Sequence, residues 1–184
     1  MIHQLVSALD KKLGFEQAQA HCDIPCGIYD PITAQIAAVT VVRMIDLMAD
    51  FQKKYEDKGA VDELKDLVSG KSYGVLTDYA HAMSRYTTVK EEHAEKAKAE
   101  IRIIWGDYIK APHLEKFPEL HGLTHQIMQF GSKGRQTMDR QAALDFVEAI
   151  NKFAEIFWAT KGIQTRRAKS PYNPPLELVY PVIP

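Results

Sequence analysis

Residues His21 to Pro31 read His21-Cys22-Asp23-Ile24-Pro25-Cys26-Gly27-Ile28-Tyr29-Asp30-Pro31, and they constrain this chain of 184 residues more than any other stretch. A loop carrying both cysteines of the protein runs straight into a helix start. Asp30 has the chemistry of an N-cap, and Pro31 suits the first helical position, where its missing N–H costs nothing. The loop therefore stands on a rigid base, with a turn of its own at Pro25 and Gly27.

Two thiolates on one short loop can close around a single metal ion. A cut before His21 would add three nitrogens: the α-amine and imidazole of His21, and the amide of Cys22 once deprotonated. Amine, amide and the Cys22 sulfur form adjacent five-membered chelate rings, and Cys26 closes the square. Two nitrogens and two sulfurs in a plane suit a d⁸ ion, with Ni(II) the natural candidate, and the imidazole remains as an axial arm. Two other readings compete. A disulfide closing so short a loop would constrain little of the unfolded chain. A thiol redox pair usually has two residues between its cysteines and a helix beginning at the first, whereas here the spacing is three and the helix follows Pro31.

Residues 1–20 place Ile2, Leu5, Val6, Leu9 and Leu13 on one face of an amphipathic helix. Charged and polar residues interrupt that face too often for an export signal, and the segment ends in Ala18-Gln19-Ala20, a small-x-small pattern. After Pro31, Ile32, Ile36, Val39, Met44, Ile45, Met48, Phe51 and Tyr55 predict a helix that Gly59 ends. A short helical piece is expected within 60–72 around Val61, Leu64, Leu67 and Val68, stopped by Gly70. A long helix is expected from Val75 to Ile109, ended by Pro112. Its segment Lys90 to Lys98 mixes charge signs, with Glu92 and Lys96 spaced as an i, i+4 pair, and reads as a solvated or inter-subunit face. A third helix over Pro118 to Phe130, a Gly131-Ser132-Lys133-Gly134 turn, and a fourth helix over Asp139 to Lys161 follow. Ala143, Phe146, Val147, Ile150, Phe153, Phe157 and Trp158 make the apolar side of the last. His121 and His125 lie four apart, but the sequence offers them no third ligand nearby.

From Gly162 onward, Pro171, Pro174, Pro175, Pro181 and Pro184 exclude a helix, and Leu176, Leu178, Val179 and Tyr180 form an apolar strip for an extended arm over a neighbouring surface. The fold expected is all-α: an antiparallel four-helix bundle with an N-terminal metal-binding hook and an extended Pro-rich C-terminal arm. Its parts are a leader (1–20), the hook (21–31), the bundle (32–161) and the arm (162–184). With 46% hydrophobic and 26% charged residues the chain can bury one core, and a net charge of −1 gives no footprint for nucleic acid or an acidic membrane.

The run His-Cys-Asp-x-Pro-Cys-Gly-x-Tyr-Asp-Pro resembles the nickel hook of the nickel superoxide dismutases. The resemblance continues through Val89 to Glu95, Trp105 to His113, Glu115 to His121 and Ile156 to Lys161. It implies a leader of residues 1–20 removed by a processing protease, and one nickel ion per subunit held by His21, Cys22 and Cys26. It also implies conversion of two superoxide anions to oxygen and hydrogen peroxide through a Ni(II)/Ni(III) cycle, in a cytoplasmic homohexamer. Tyr29 should stand over the open face of the metal and belong with the ligands to the catalytic set, while Asp23, Tyr108 and Lys110 match positions around the site. One departure is plain: some members carry Glu and Arg where this chain has Ala37 and His93, and those residues hold the axial imidazole. His93 is expected to substitute, directly or through water, against the alternative of an ordinary surface histidine. The competing function is a nickel-binding or nickel-delivery module without turnover, which would have no use for a Tyr29 gate.

Overall fold

Asp30 and Pro31 start the first helix as their chemistry requires: Asp30 Oδ1 accepts from the Ile32 amide at 2.8 Å, and the Pro31 carbonyl takes the Gln35 amide at 3.0 Å. The computed structural model describes residues 27–56, 62, 65–66, 68–70 and 72–183, with the backbone alone for 72–76. Its elements are α1 (Ile32–Glu56), α2 (Ser72–Ile103), a π-helical turn (Ile104–Tyr108), α3 (Ala111–Lys116), α4 (Leu120–Gln136), α5 (Arg140–Thr160), β1 (Thr165–Lys169) and β2 (Glu177–Pro181). The leader, the hook residues His21 to Cys26, and the expected helix stop at Gly59 lie outside the described residues.

The four long helices form an antiparallel ring. Along α1 and α2, Phe51 meets Tyr86 and Tyr55 meets Tyr79 (centroids 6.3 and 4.6 Å). Between α2 and α4, Lys98 reaches Ser132, and Trp105 Nε1 donates to His121 Nδ1 at 3.1 Å. Arg140, at the start of α5, pairs with Asp46 of α1 at 2.6 Å, whereas Gln35, at the start of α1, lies beside Asn151. Inside the ring sit Ala34, Ala38, Val41, Val42 and Ile45 of α1, Ile101 of α2, Leu120 and Ile127 of α4, and Phe146, Ile150, Phe153 and Phe157 of α5. The apolar side expected for α5 is thus its buried side. By length and hydropathy (1.6 over an 18-residue window) α1 could cross a membrane, but its apolar face is spent on this core.

Two expectations change, the roles of Pro112 and of the Gly131 to Gly134 run. The long helix ends within one residue of the expected Ile109, in a π turn where the chain widens, Ile109 N donating to Ile104 O at 3.2 Å. Pro112 then sits in the first turn of α3, the position proline tolerates, so it begins a helix and ends none. Gly131 to Gly134 make no turn but continue α4. A Cβ on Gly131 would lie 2.8 Å from the Lys98 side chain and 3.0 Å from Phe146, and one on Gly134 would lie 3.4 Å from Val41. These glycines let helices approach. Of the short helical piece, Asp62, Lys65, Asp66 and Val68 are helical and Gly70 turns the chain at φ +73°, but Val68 is exposed.

The mixed-charge segment of α2 is not uniformly solvated. Ala94 and Ala97 are in the core, Lys98 is buried, and Lys90 is 3% exposed. Lys90 Nζ donates to the carbonyls of Gly134, Arg135 and Thr137 at 3.0, 2.7 and 2.8 Å, capping the C-terminal end of α4 with a positive charge. Burial lowers its pKa, while the three carbonyls take all three protons of the ammonium and so favour the charged form. No pair joins Glu92 to Lys96; Glu95 instead bridges Arg102 (2.7 Å) and Arg135 (2.9 Å), and the Arg102 hydrogen bond holds its carboxyl below the usual range. Lys90→Met is expected to strip three carbonyls of their donor at once. With about 1–3 kcal/mol for each buried group left unsatisfied, the loss should be about 3 kcal/mol or more, read as a lower denaturation midpoint at unchanged slope.

The C-terminal segment is extended, but it folds into a hairpin on its own bundle. β1 and β2 pair antiparallel with Arg167 opposite Val179, and Leu178 and Val179 are buried. Arg167 grips both Glu148 and Glu155 of α5 with two contacts each, between 2.7 and 3.2 Å. The amide of Gln35 meets the backbone of Val179, accepting from its N–H at 2.8 Å and donating to its carbonyl at 3.2 Å, and Asn151 Nδ2 donates to the Glu177 carbonyl at 2.9 Å. The first turn of α1 is therefore braced by β2.

Candidate metal centre

The described residues begin inside the hook, at Gly27. Gly27 has φ +76°, a left-handed conformation that costs glycine little, and among the described residues no atom lies within 4 Å of where its Cβ would stand. Ile28 is 79% exposed, and Tyr29 turns back onto the bundle against Tyr108, ring centroids 5.8 Å apart. Asp30 and Pro31 then lock the exit into α1. The loop that carries Cys22 and Cys26 is thereby anchored on one side by an aromatic contact and a capped helix.

Tyr108 ends the π turn, the kind of local widening that redirects a side chain and is common at functional sites. Its ring stacks with His113 (5.2 Å), tilts against Phe157 (5.1 Å) and lies under the Lys161 ammonium, 4.8 Å from the centroid. Its hydroxyl is 2.8 Å from Thr160 Oγ1. Lys110 is exposed two residues on, and its amide donates to His113 Nδ1 at 3.1 Å, which places the proton of a neutral His113 on Nε2. His93 lies on α2 with Nδ1 2.9 Å from the Val89 carbonyl, so Nδ1 is the protonated donor and, in the neutral ring, Nε2 is an acceptor with no hydrogen-bond partner among the described residues. No hydrogen bond or ring contact joins His93 to Tyr29 or Tyr108.

The structure thus brings Tyr29 and Tyr108 together, puts Lys110 nearby in sequence, and leaves His93 apart from that pair. His21, Cys22, Asp23 and Cys26 lie outside the described residues. The donor set they offer, thiolates with amine, amide and imidazole nitrogen, fits nickel. Among the described residues no cluster of three or more His, Cys, Asp or Glu could hold a metal, and His121 is engaged by the Trp105 indole.

The model of the family described as nickel-containing superoxide dismutase matches residues 16–161, and so spans the hook and the whole bundle. The chain belongs to the nickel-containing superoxide dismutase family. It is 36% identical over 145 residues to the Ni superoxide dismutase of Streptomyces coelicolor, covering 77% of this chain and 88% of that one. To the enzyme of Streptomyces seoulensis it is 36% identical over 148 residues, covering 79% and 91%. The solved native structure of a nickel superoxide dismutase is 33% identical and covers 77% of this chain and 99% of its own, with a TM-score of 0.59. The helical bundle expected from sequence is thus that of the nickel superoxide dismutases. The hairpin of β1 and β2 falls beyond the residues that the family model matches.

Sequence reasoning missed Thr160, Phe157, Lys161 and His113 as neighbours of Tyr108. His113 offered one signal, since a histidine three residues after the residue preceding a helix can accept from that residue's amide. Thr160 and Lys161 lie in a family-like block, but nothing local points either side chain at a tyrosine more than fifty residues earlier.

Proposed function

We propose that this chain disproportionates superoxide with one nickel ion bound in the hook. The ligands are the α-amine and imidazole of His21, the amide and thiolate of Cys22, and the thiolate of Cys26. Family membership makes the protein a nickel-dependent superoxide dismutase; the donor set and the surrounding roles are the finer part of the reading. Nickel, when bound, supplies a one-electron couple between Ni(II) and Ni(III), and anionic sulfur and amide donors bring that couple into the range superoxide requires.

The chain's own residues shape what happens around it. The contact of Tyr29 with Tyr108, beside a capped helix, supports the reading most directly, because it sets an aromatic wall at the exit of the donor loop. Among the described residues the Tyr29 hydroxyl has no hydrogen-bond partner, so it is available to an anion or a water at the open face. Lys110 and Lys161 place positive charge nearby, and Asp23 is assigned to hydrogen bonding within the loop. His93, whose Nε2 has no hydrogen-bond partner among the described residues, is assigned to support the His21 imidazole directly or through water. A nickel carrier would need neither the wall nor the positive charge.

The mature form is taken to begin at His21 after a protease removes residues 1–20, leaving hook (21–31), bundle (32–161) and C-terminal segment (162–184). It is further proposed to assemble as a homohexamer in the cytoplasm. The deciding experiment measures mass, nickel content and superoxide turnover on one preparation beginning at His21. One nickel per chain with rapid turnover is expected, and nickel without turnover would favour the carrier. Run on His93→Ala, the same assay should show altered turnover or pH dependence; no change in either would remove His93 from the site.

A further inference from the structure

The contacts of Thr160 decide which way the Tyr108 hydroxyl points. Thr160 Oγ1 donates its single proton to the Phe157 carbonyl at 2.6 Å. That carbonyl needs it: Lys161 N, the amide that would complete the helical turn onto Phe157, is turned to the Trp158 carbonyl at 3.0 Å. Thr160 then has only lone pairs left for Tyr108, 2.8 Å away, so the phenol must be the donor in that bond. The ring cannot easily swing to change this, because His113 stacks on it, Phe157 tilts against it and Lys161 lies over it.

We propose that Thr160 is a positioning residue that draws the Tyr108 proton into α5, so that Tyr108 faces the hook side with oxygen lone pairs and no donor. The two neighbouring tyrosines then have opposite roles. Tyr29 is the phenol able to donate a hydrogen bond to an anion, while the Tyr108 oxygen repels one and so confines the anion to the Tyr29 side. The proton path through Tyr108 is also closed, since Thr160 passes its own proton to a carbonyl that cannot relay it. This assignment rests on the dismutase reading for its function, but the direction of the hydrogen bond stands without it.

The test therefore has a readout that needs neither nickel nor turnover. The Raman Fermi doublet of tyrosine separates donating from accepting phenols, and the difference spectrum between the full-length chain and Tyr108→Phe isolates Tyr108. It should carry the signature of a donor; that of an acceptor would overturn the proposal, whether or not any other variant folds. Thr160→Val, nearly the same shape without the acceptor, should remove the signature, and Thr160→Ser should restore it. In the nickel-loaded enzyme, Thr160→Val frees a donor, so azide, used as the anion probe, should inhibit about tenfold more tightly, the scale of one hydrogen bond to a charged group. Thr160→Val with Tyr108→Phe should return to the wild-type azide affinity. Unchanged Fermi doublet and azide inhibition in Thr160→Val would show that Tyr108 does not donate to Thr160. Loss of turnover in every form, with the donor signature intact, would count against the dismutase reading alone.

Discussion

Cys22→Ser and Cys26→Ser are each expected to reduce superoxide turnover to that of buffer while leaving the thermal melt of the bundle within a few degrees. A serine hydroxyl stays protonated at neutral pH and cannot replace a soft anionic donor, so either change would remove one of the two thiolates proposed to hold nickel and to lower its potential. The fold should tolerate the exchange because the buried apolar core of the described residues begins at Ala34 and the hook residues Gly27 and Ile28 are exposed. Turnover, nickel content and melting temperature on the same samples check this. Appreciable turnover in either variant would sink the proposed donor set, and a large fall in melting temperature would make the cysteines structural instead.

Blocking removal of the leader should have an effect of the same size. While Ala20 stays joined to His21 there is no α-amine. In its place stands a second amide, which gives up its proton far less readily than an ammonium group of pKa about 7.7–8.0. The intact chain also carries twenty further residues on the loop that must close over its own terminus. An uncleavable form, with Ala20→Pro, is expected to bind nickel weakly and to show no more than background turnover beside a form beginning at His21. Equal turnover from the two would show that the terminus is not a ligand.

The features legible in the sequence were those whose cause is local. Asp30 and Pro31 announced a helix start because an N-cap and an N1 proline act within three residues, and the α5 stripe announced a core because its period is its burial. Lys90 was misread because a lysine among charged neighbours looks solvated, and the carbonyls that receive it lie more than forty residues away. Gly131 and Gly134 were misread for the same reason: a glycine pair signals a turn or a close helix approach, and only the neighbours, Lys98, Phe146 and Val41, decide which. The prolines after Gly162 correctly excluded a helix, yet could not distinguish a loose arm from a hairpin held by Arg167. At the candidate site, Tyr29 and Tyr108 were legible through their motifs, and the structure brings them together. The Thr160 contact was not, since it depends on a carbonyl left over at a helix end.

The seating of Gln35 against Val179 bears on when the protein becomes competent during translation. The cysteine-bearing loop leaves the ribosome early, but the strand that braces the helix after it is synthesised more than 140 residues later. At about 5–20 residues per second, that delay is on the order of ten seconds. Throughout it the thiols are already made while the support behind them is not. A nascent chain stalled before β2 would carry its cysteines just ahead of a helix whose first turn still lacks its last partner.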